Sequence, residues 1–183
     1  MSANIEAAAH RAFPIQIAAT DLEFRTLDVR DPQLTGNQVL SYADATPRES
    51  FVVLQWLEGG DIEELRPEET VDLAHDRPTR FIVAEADRLF RLVLNERSIS
   101  WPRRYIEEAV LRTLGEIAED ERLFLRREDV ADEPIAAGGR LALADGGVEV
   151  VYARKEAWKL NVQNVQIVST APTIVVRDAL VQA

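Results

Sequence analysis

FRLVLNERSISWPRRYIEEAVLRTLGEI, Phe90–Ile117, decides the fold. FRLVLNER opens with an aromatic and then alternates polar and apolar residues, the period of a half-buried strand. SISWPRR leads into YIEEAVLRTLGEI, where Ile106, Val110, Leu114 and Ile117 recur at helical spacing. Glu107 and Glu108 sit at the end of that helix that favours negative charge. The same aromatic-led opening stands at FRTLDVRD, Phe24–Asp31, and at WKLNVQNV, Trp158–Val165. A spacing of about 66 to 68 residues is longer than a solenoid repeat and suits a small domain repeated in tandem.

The segments after each opening are also alike. In the first unit LTGNQVLSYADA predicts a short helix, capped by Thr35 and striped by Val39, Leu40 and Ala43. FVVLQWLEGGDIEEL, with Val52, Leu54 and Trp56 alternating before Gly59 and Gly60, predicts a strand entering a turn. TVDL and RFIVAE come next, with Phe81 and Val83 facing one way. The second unit continues with RLFLRRED, GGRLALADGG and VEVVYARK, in which Val148, Val150 and Tyr152 alternate with Glu149 and Val151. Each unit reads strand, strand, helix, strand, short strand, strand. The third opening reaches IVSTAPTIVVRDALVQA, a second strand and a first helical turn.

The composition bounds the function. The 183 residues suffice for one domain or two small ones. A net charge of −11 disfavours nucleic acid and anionic membranes, since phosphate contacts need clustered Lys and Arg. The absence of cysteine excludes disulfides and thiolate chemistry and fits a cytoplasmic protein. His10 and His75 have no second histidine at ligand spacing, and the acidic runs DIEEL and RPEETVD lack calcium-loop spacing, so neither catalysis, a metal nor a cofactor is expected. Arg103, Arg104, Arg112, Arg126 and Arg127 gather in the second unit, and Asp61, Glu63, Glu64, Glu68 and Glu69 in the first. That asymmetry is compatible with an electrostatic contact between units. Trp56 and Trp158 read as core; Trp101 is compatible with either a core cap or an exposed site.

The order of elements is that of the ubiquitin-like β-grasp fold. TGNQVL, FVVLQWLEGGDIEELRPEETVDL and RFIVAE resemble the bacterial multiubiquitin family, whose ubiquitin-like domains occur in tandem. NERSISW, RRYIEEAVLRTLG, RLFLRRED, GGVEVVYARK and IVVRDAL resemble it too. The expected fold is α+β: a mobile arm over 1–21, β-grasp domains over 22–86 and 87–156, and a C-terminal β-hairpin or partial third unit over 157–183. The resemblance implies a non-catalytic ubiquitin-like modifier precursor in a bacterial conjugation pathway, with antiviral defence as its setting. Its implied partners are a ubiquitin-activating-like enzyme, a conjugating-like enzyme and a JAB-type metallopeptidase.

Eukaryotic ubiquitin ends in a free Gly-Gly, which threads a narrow channel to the adenylation site. The glycine pairs here, Gly59-Gly60, Gly138-Gly139 and Gly146-Gly147, lie inside the units, and the sequence ends Val181, Gln182, Ala183. Trimming by a peptidase, a further length of chain, or function without conjugation would each reconcile the two. Tyr152, Ala153, Arg154, Lys155 and Glu156, where the second unit's last strand ends, are the candidate processing region. Trp158, Leu160, Val162, Val165, Ile167, Ile174 and Val175 need an apolar surface, because a lone hairpin is marginal in water. The second unit of the same chain or a neighbouring molecule can supply it. FPIQIA, with Phe13, Ile15 and Ile17, is a short alternating strand without a local partner, so Phe13, Ile15, Ile17, Trp158, Leu160, Val162 and Ile167 are the candidate self-association residues of a head-to-tail oligomer. The alternative function is a structural protein whose β-grasp units polymerise into filaments without conjugation; a single-domain sulfur carrier fits less well.

Overall fold

Phe13, Ile15 and Ile17 alternate with Pro14 and Gln16, and this period of two makes Phe13–Ala18 the first strand, β1. The structure, a computed structural model, describes residues 12–74 and 76–155 and the backbone of 158–162 and 165–169. β1 forms an antiparallel hairpin with β2 (Arg25–Val29), and on its other side it runs parallel to β7 (Thr79–Glu85). β4 (Phe51–Trp56) flanks β7, and β5 (Ile62–Leu65) flanks β4. A small ladder of β3 (Gln33–Thr35) and β6 (Thr70–Asp72) leads into helix α1 (Gly36–Tyr42). Thr35 caps α1: its hydroxyl accepts the Gln38 amide while the Gln38 side chain returns to the Thr35 amide, satisfying two donors that a helix start leaves open.

The second half repeats this order with β8 (Phe90–Leu94), β9 (Arg97–Trp101), β10 (Tyr105–Glu107), α2 (Glu108–Gly115), β11 (Glu121–Leu125), β12 (Glu133–Pro134), β13 (Arg140–Ala142) and β14 (Val148–Lys155). The halves run β2-β1-β7-β4-β5 and β12-β11-β14-β8-β9 across the sheet, so the last strand of each is central and parallel to its first. The class is α+β, as expected, and the order is consistent with a ubiquitin-like fold.

One parallel pairing, Ile62 with Ile99, joins β5 to β9 and makes a single ten-stranded sheet. Two hydrophobic clusters fill it. α1 contributes Val39 and Leu40 to one, with Ile15, Ile17, Val53, Phe81 and Val83. α2 contributes Leu111 and Leu114 to the other, with Leu92, Leu94, Ile99 and Trp101, and this second cluster also takes Leu54, Trp56, Ile62 and Ile82 from the first half. Neighbours along a strand point to opposite faces, so Val53 and Leu54 divide between the clusters. Ile62 shares the α2 face with its partner Ile99, and α1 therefore lies on the opposite face of the common sheet.

Several expectations are corrected. Phe13–Ala18 does not wait unpaired in an arm: it is a central strand, with Phe13, Ile15 and Ile17 buried and hydrogen-bonded neighbours on both sides. The described part of 1–21 therefore belongs to the first half; residues 1–11 lie outside the described residues. Phe24 and Phe90 are not equivalent either, since Phe24 precedes the second strand of its hairpin and Phe90 opens the first of its own. α2 is shorter than YIEEAVLRTLGEI, because Tyr105–Glu107 pairs with β13 before the helix begins. On β14 the buried residue is Val151, and Val148 is exposed, the reverse of the face carried by Val148, Val150 and Tyr152. Among the described residues no helix is long and apolar enough to cross a membrane.

Candidate functional site

The joint between the halves is built by a turn and an arginine. Gly60, at φ +91°, closes the turn after β4, and a Cβ there would lie 2.5 Å from the Arg97 side chain, so the missing side chain admits Arg97. Asp61 is next, and its Oδ1 accepts the Ser98 amide at 2.6 Å. Arg97 then donates to the Leu114 carbonyl at the end of α2 (3.2 Å) and pairs with Glu116 at 3.4 Å. The same device recurs in the first half, where Arg25 donates to the Tyr42 carbonyl (2.7 Å) and lies 3.9 Å from Asp44. Asp44 and Glu116 both hold left-handed backbone at the helix end, φ 57° and 53°. A side chain that reads the last carbonyls of a helix and a following acid thus marks the second hairpin strand of each half. Of the two arginines, Arg97 also meets a neighbouring turn.

The face of the first half opposite α1 closes against the joint. Trp56 carries Phe24 at 6.0 Å between ring centroids and the Arg80 guanidinium at 3.7 Å. Burial pulls Arg80 below the usual guanidinium range, opposed by the Glu116 carboxylate of the second half. Where β5 and β9 diverge beyond their single pairing, a cleft of about 1220 Å³ opens, lined among others by Glu63, Glu64, Leu89, Arg91, Ser98 and Ser100.

The end of β14 carries the residues that the sequence offers as a candidate processing region. Ala153, Arg154 and Lys155 pair with Leu123, Arg122 and Glu121, while the pairing with β8 ends at Val151. Beyond it the Asn95 side chain takes over, Oδ1 accepting the Ala153 amide at 2.8 Å. Tyr152 stacks on Phe124 (5.8 Å) and donates its hydroxyl to Asp132; Arg154 covers Phe124 at 4.2 Å. The Tyr152 hydroxyl holds the Asp132 carboxyl below the ordinary carboxylate value, and Asp132 in turn raises the phenol. Lys155 Nζ lies 2.7 Å from Asp120; that hydrogen bond raises the amine and lowers the carboxyl.

Of the candidate processing residues, Tyr152, Ala153, Arg154 and Lys155 are held in a ladder, and Glu156 lies outside the described residues. Phe13, Ile15 and Ile17 are enclosed in the first half and offer no free edge. Trp158, Leu160, Val162 and Ile167 fall on a described hairpin backbone, their side chains outside the described residues. The charge asymmetry does not make the joint. Arg112 pairs with Glu108, Arg104 with Asp145 and Arg127 with Glu133, all inside the second half. Of the acidic set, Asp61 reaches across the joint, to the Ser98 amide. Trp101 is core, its indole donating to the Tyr105 carbonyl at 3.3 Å. Sequence reasoning does not single out Arg97 or Arg25 and takes Gly60 as a turn glycine; a constant displacement of Arg25, Tyr42 and Asp44 onto Arg97, Leu114 and Glu116 is the signal that finds the two arginines. Among the described residues no group of three or more acidic or histidine side chains could hold a metal, and His10 and His75 lie outside them.

Residues 19–86 match the family model described as multiubiquitin. The matched segment begins after β1, which completes its sheet from outside. No curated protein matches the chain.

Proposed function

We propose, from the multiubiquitin domain at residues 19–86, that this protein is a ubiquitin-like modifier precursor whose second copy of the domain spans about residues 87–155. The observation that carries the reading is the repeated strand order with a central last strand. In that arrangement the chain leaves the second half from the end of β14, at the rim of the sheet. The protein supplies a carboxylate and no catalytic group. An activating-like enzyme joins that carboxylate to AMP with release of pyrophosphate; a cysteine thiolate displaces AMP to form a thioester; a target amine displaces the thiolate to form an amide. The cytoplasm of a bacterium, with antiviral defence as its setting, is the context that goes with this chemistry.

A peptidase needs an extended, unpaired segment. Pairing through Lys155 therefore moves the cleavage position to the C-terminal side of Lys155 and out of Tyr152–Lys155. Co-expression with a JAB-type metallopeptidase and intact-mass spectrometry tests this, with a product ending beyond Lys155 as the expected result. The trimmed product, given the activating-like enzyme and ATP, should form a thioester sensitive to reductant. Trimming without any thioester would leave the structural-assembly reading as the better one.

A further inference from the structure

The chain carries a third hairpin, β15 (Trp158–Val162) and β16 (Val165–Ser169). Its pairing runs from Trp158 with Ser169 to Val162 with Val165, step for step the pairing of β8 with β9 from Phe90 with Trp101 to Leu94 with Arg97. Yet it stands as its own two-stranded sheet, apart from the ten-stranded one. The β8–β9 hairpin is seated on the half that precedes it: β9 on the edge of β5, with Leu54, Trp56 and Ile82 buried in the shared cluster.

The second half has the same seat. Ile17 with Phe81 corresponds to Leu94 with Val151, so the pair Leu54–Ile82 corresponds to Phe124–Tyr152 and Trp56 to Arg126. The turn after β11 then has the length of the turn after β4, and Val130 falls at the place of Gly60 in that count, although the left-handed residue there is Asp129. Here Arg154 and Arg126 guanidinium groups lie over the rings at 4.2 and 5.6 Å, Phe124 is 6% exposed, and Val130 is 69% exposed. The partner position also changes. Were the β15–β16 hairpin seated as β8–β9 is, Val165 would stand at the place of Arg97, opposite Val130. Asp132, at the position of Ile62, is already satisfied by the Tyr152 hydroxyl and the Arg127 amide.

The length of the connection identifies the occupant. From β7 to β8 the chain crosses β4, β5 and β9, four steps of about 4.8 Å or about 19 Å in all. Residues 86–89 provide five Cα steps, up to about 18 Å, within about 1 Å of that span. β14 is paired to Lys155 as β7 is paired to Glu85. Lys155 to Trp158 is three Cα steps, at most about 11 Å, and falls short of the same crossing. We propose that the seat formed by Phe124, Val130 and Tyr152 with the β12 edge is filled by the β15–β16 hairpin of a second copy of this chain. The exchange is a strand addition between identical molecules and does not depend on conjugation.

Light scattering on the eluting full chain across a concentration series tests it. The unmodified chain should show a mass of at least two chains of 20.5 kDa each, dissociating on dilution. Val130→Glu, on an exposed turn, should raise the dissociation constant at least about tenfold by placing a charge in the apolar contact. Inserting Gly-Ser after Lys155 lengthens the connection to four residues, and should return the chain to a 20.5 kDa monomer as its own hairpin reaches the seat. A monomer at every concentration in the unmodified chain, or an oligomer that neither change weakens, overturns the proposal.

Discussion

Glu108 is the buried carboxylate of the described core, and α2 holds it with its own Arg112 one turn on. The second oxygen of Glu108 accepts the Gly138 amide at 3.2 Å, and Arg112 also donates to the carbonyls of Ala118 and Glu121. Removing one member of a buried pair leaves an uncompensated charge, so Arg112→Ala should cost about 3 kcal/mol in urea unfolding. Asp132 gives a second residue-scale expectation. Its folded pKa lies below the ordinary 3.8 because the Tyr152 hydroxyl donates to the ionised form. The contact therefore contributes fully above pH 3.8 and is lost as pH falls through the lower folded value. The ring resonances of Tyr152 should shift in that window, and in Asp132→Asn they should no longer do so.

At the scale of elements, the bounds of β14 are legible in the sequence, since VEVVYARK follows Gly146-Gly147, but its buried face is not, because the adjacent Val150 and Val151 are both apolar. α1 is legible from Thr35, whose cap fixes the start whatever packs on the helix. α2 reads too long because Ile106 is buried at helical spacing from a short strand, and periodicity alone cannot separate a core residue on a helix from one just before it. β1 reads as an arm because its nearest partner lies across a loop, and its other partner, β7, is distant in sequence. The joint is not legible: Gly60 reads as an ordinary turn glycine until Arg97 is seen against it. Gly60→Ala combines a positive φ with that contact and should cost more than about 1 kcal/mol, read as a lower urea midpoint at unchanged slope.

For the whole molecule, the cluster that α2 organises takes the buried Leu54, Trp56, Ile62 and Ile82 from the first half, so the second half closes its core only against the first, while the α1 cluster lies within the first half. Thermal unfolding should therefore be one transition, with tryptophan fluorescence, to which Trp56 and Trp101 of the shared cluster contribute, coincident with far-ultraviolet circular dichroism; two resolved steps would mean separable cores. The repeated order of strands is readable from the sequence because each half carries its own alternation. The merging of the halves is not, because edge pairing leaves only the ordinary Ile62 and Ile99 as its trace. The two helices on opposite faces of the common sheet carry a further consequence. A binding protein that approaches from one side meets a helix on one half and strands on the other, so it does not read the two halves in the same way. Recognition of this molecule is thereby sided, and a second identical reader must come from behind.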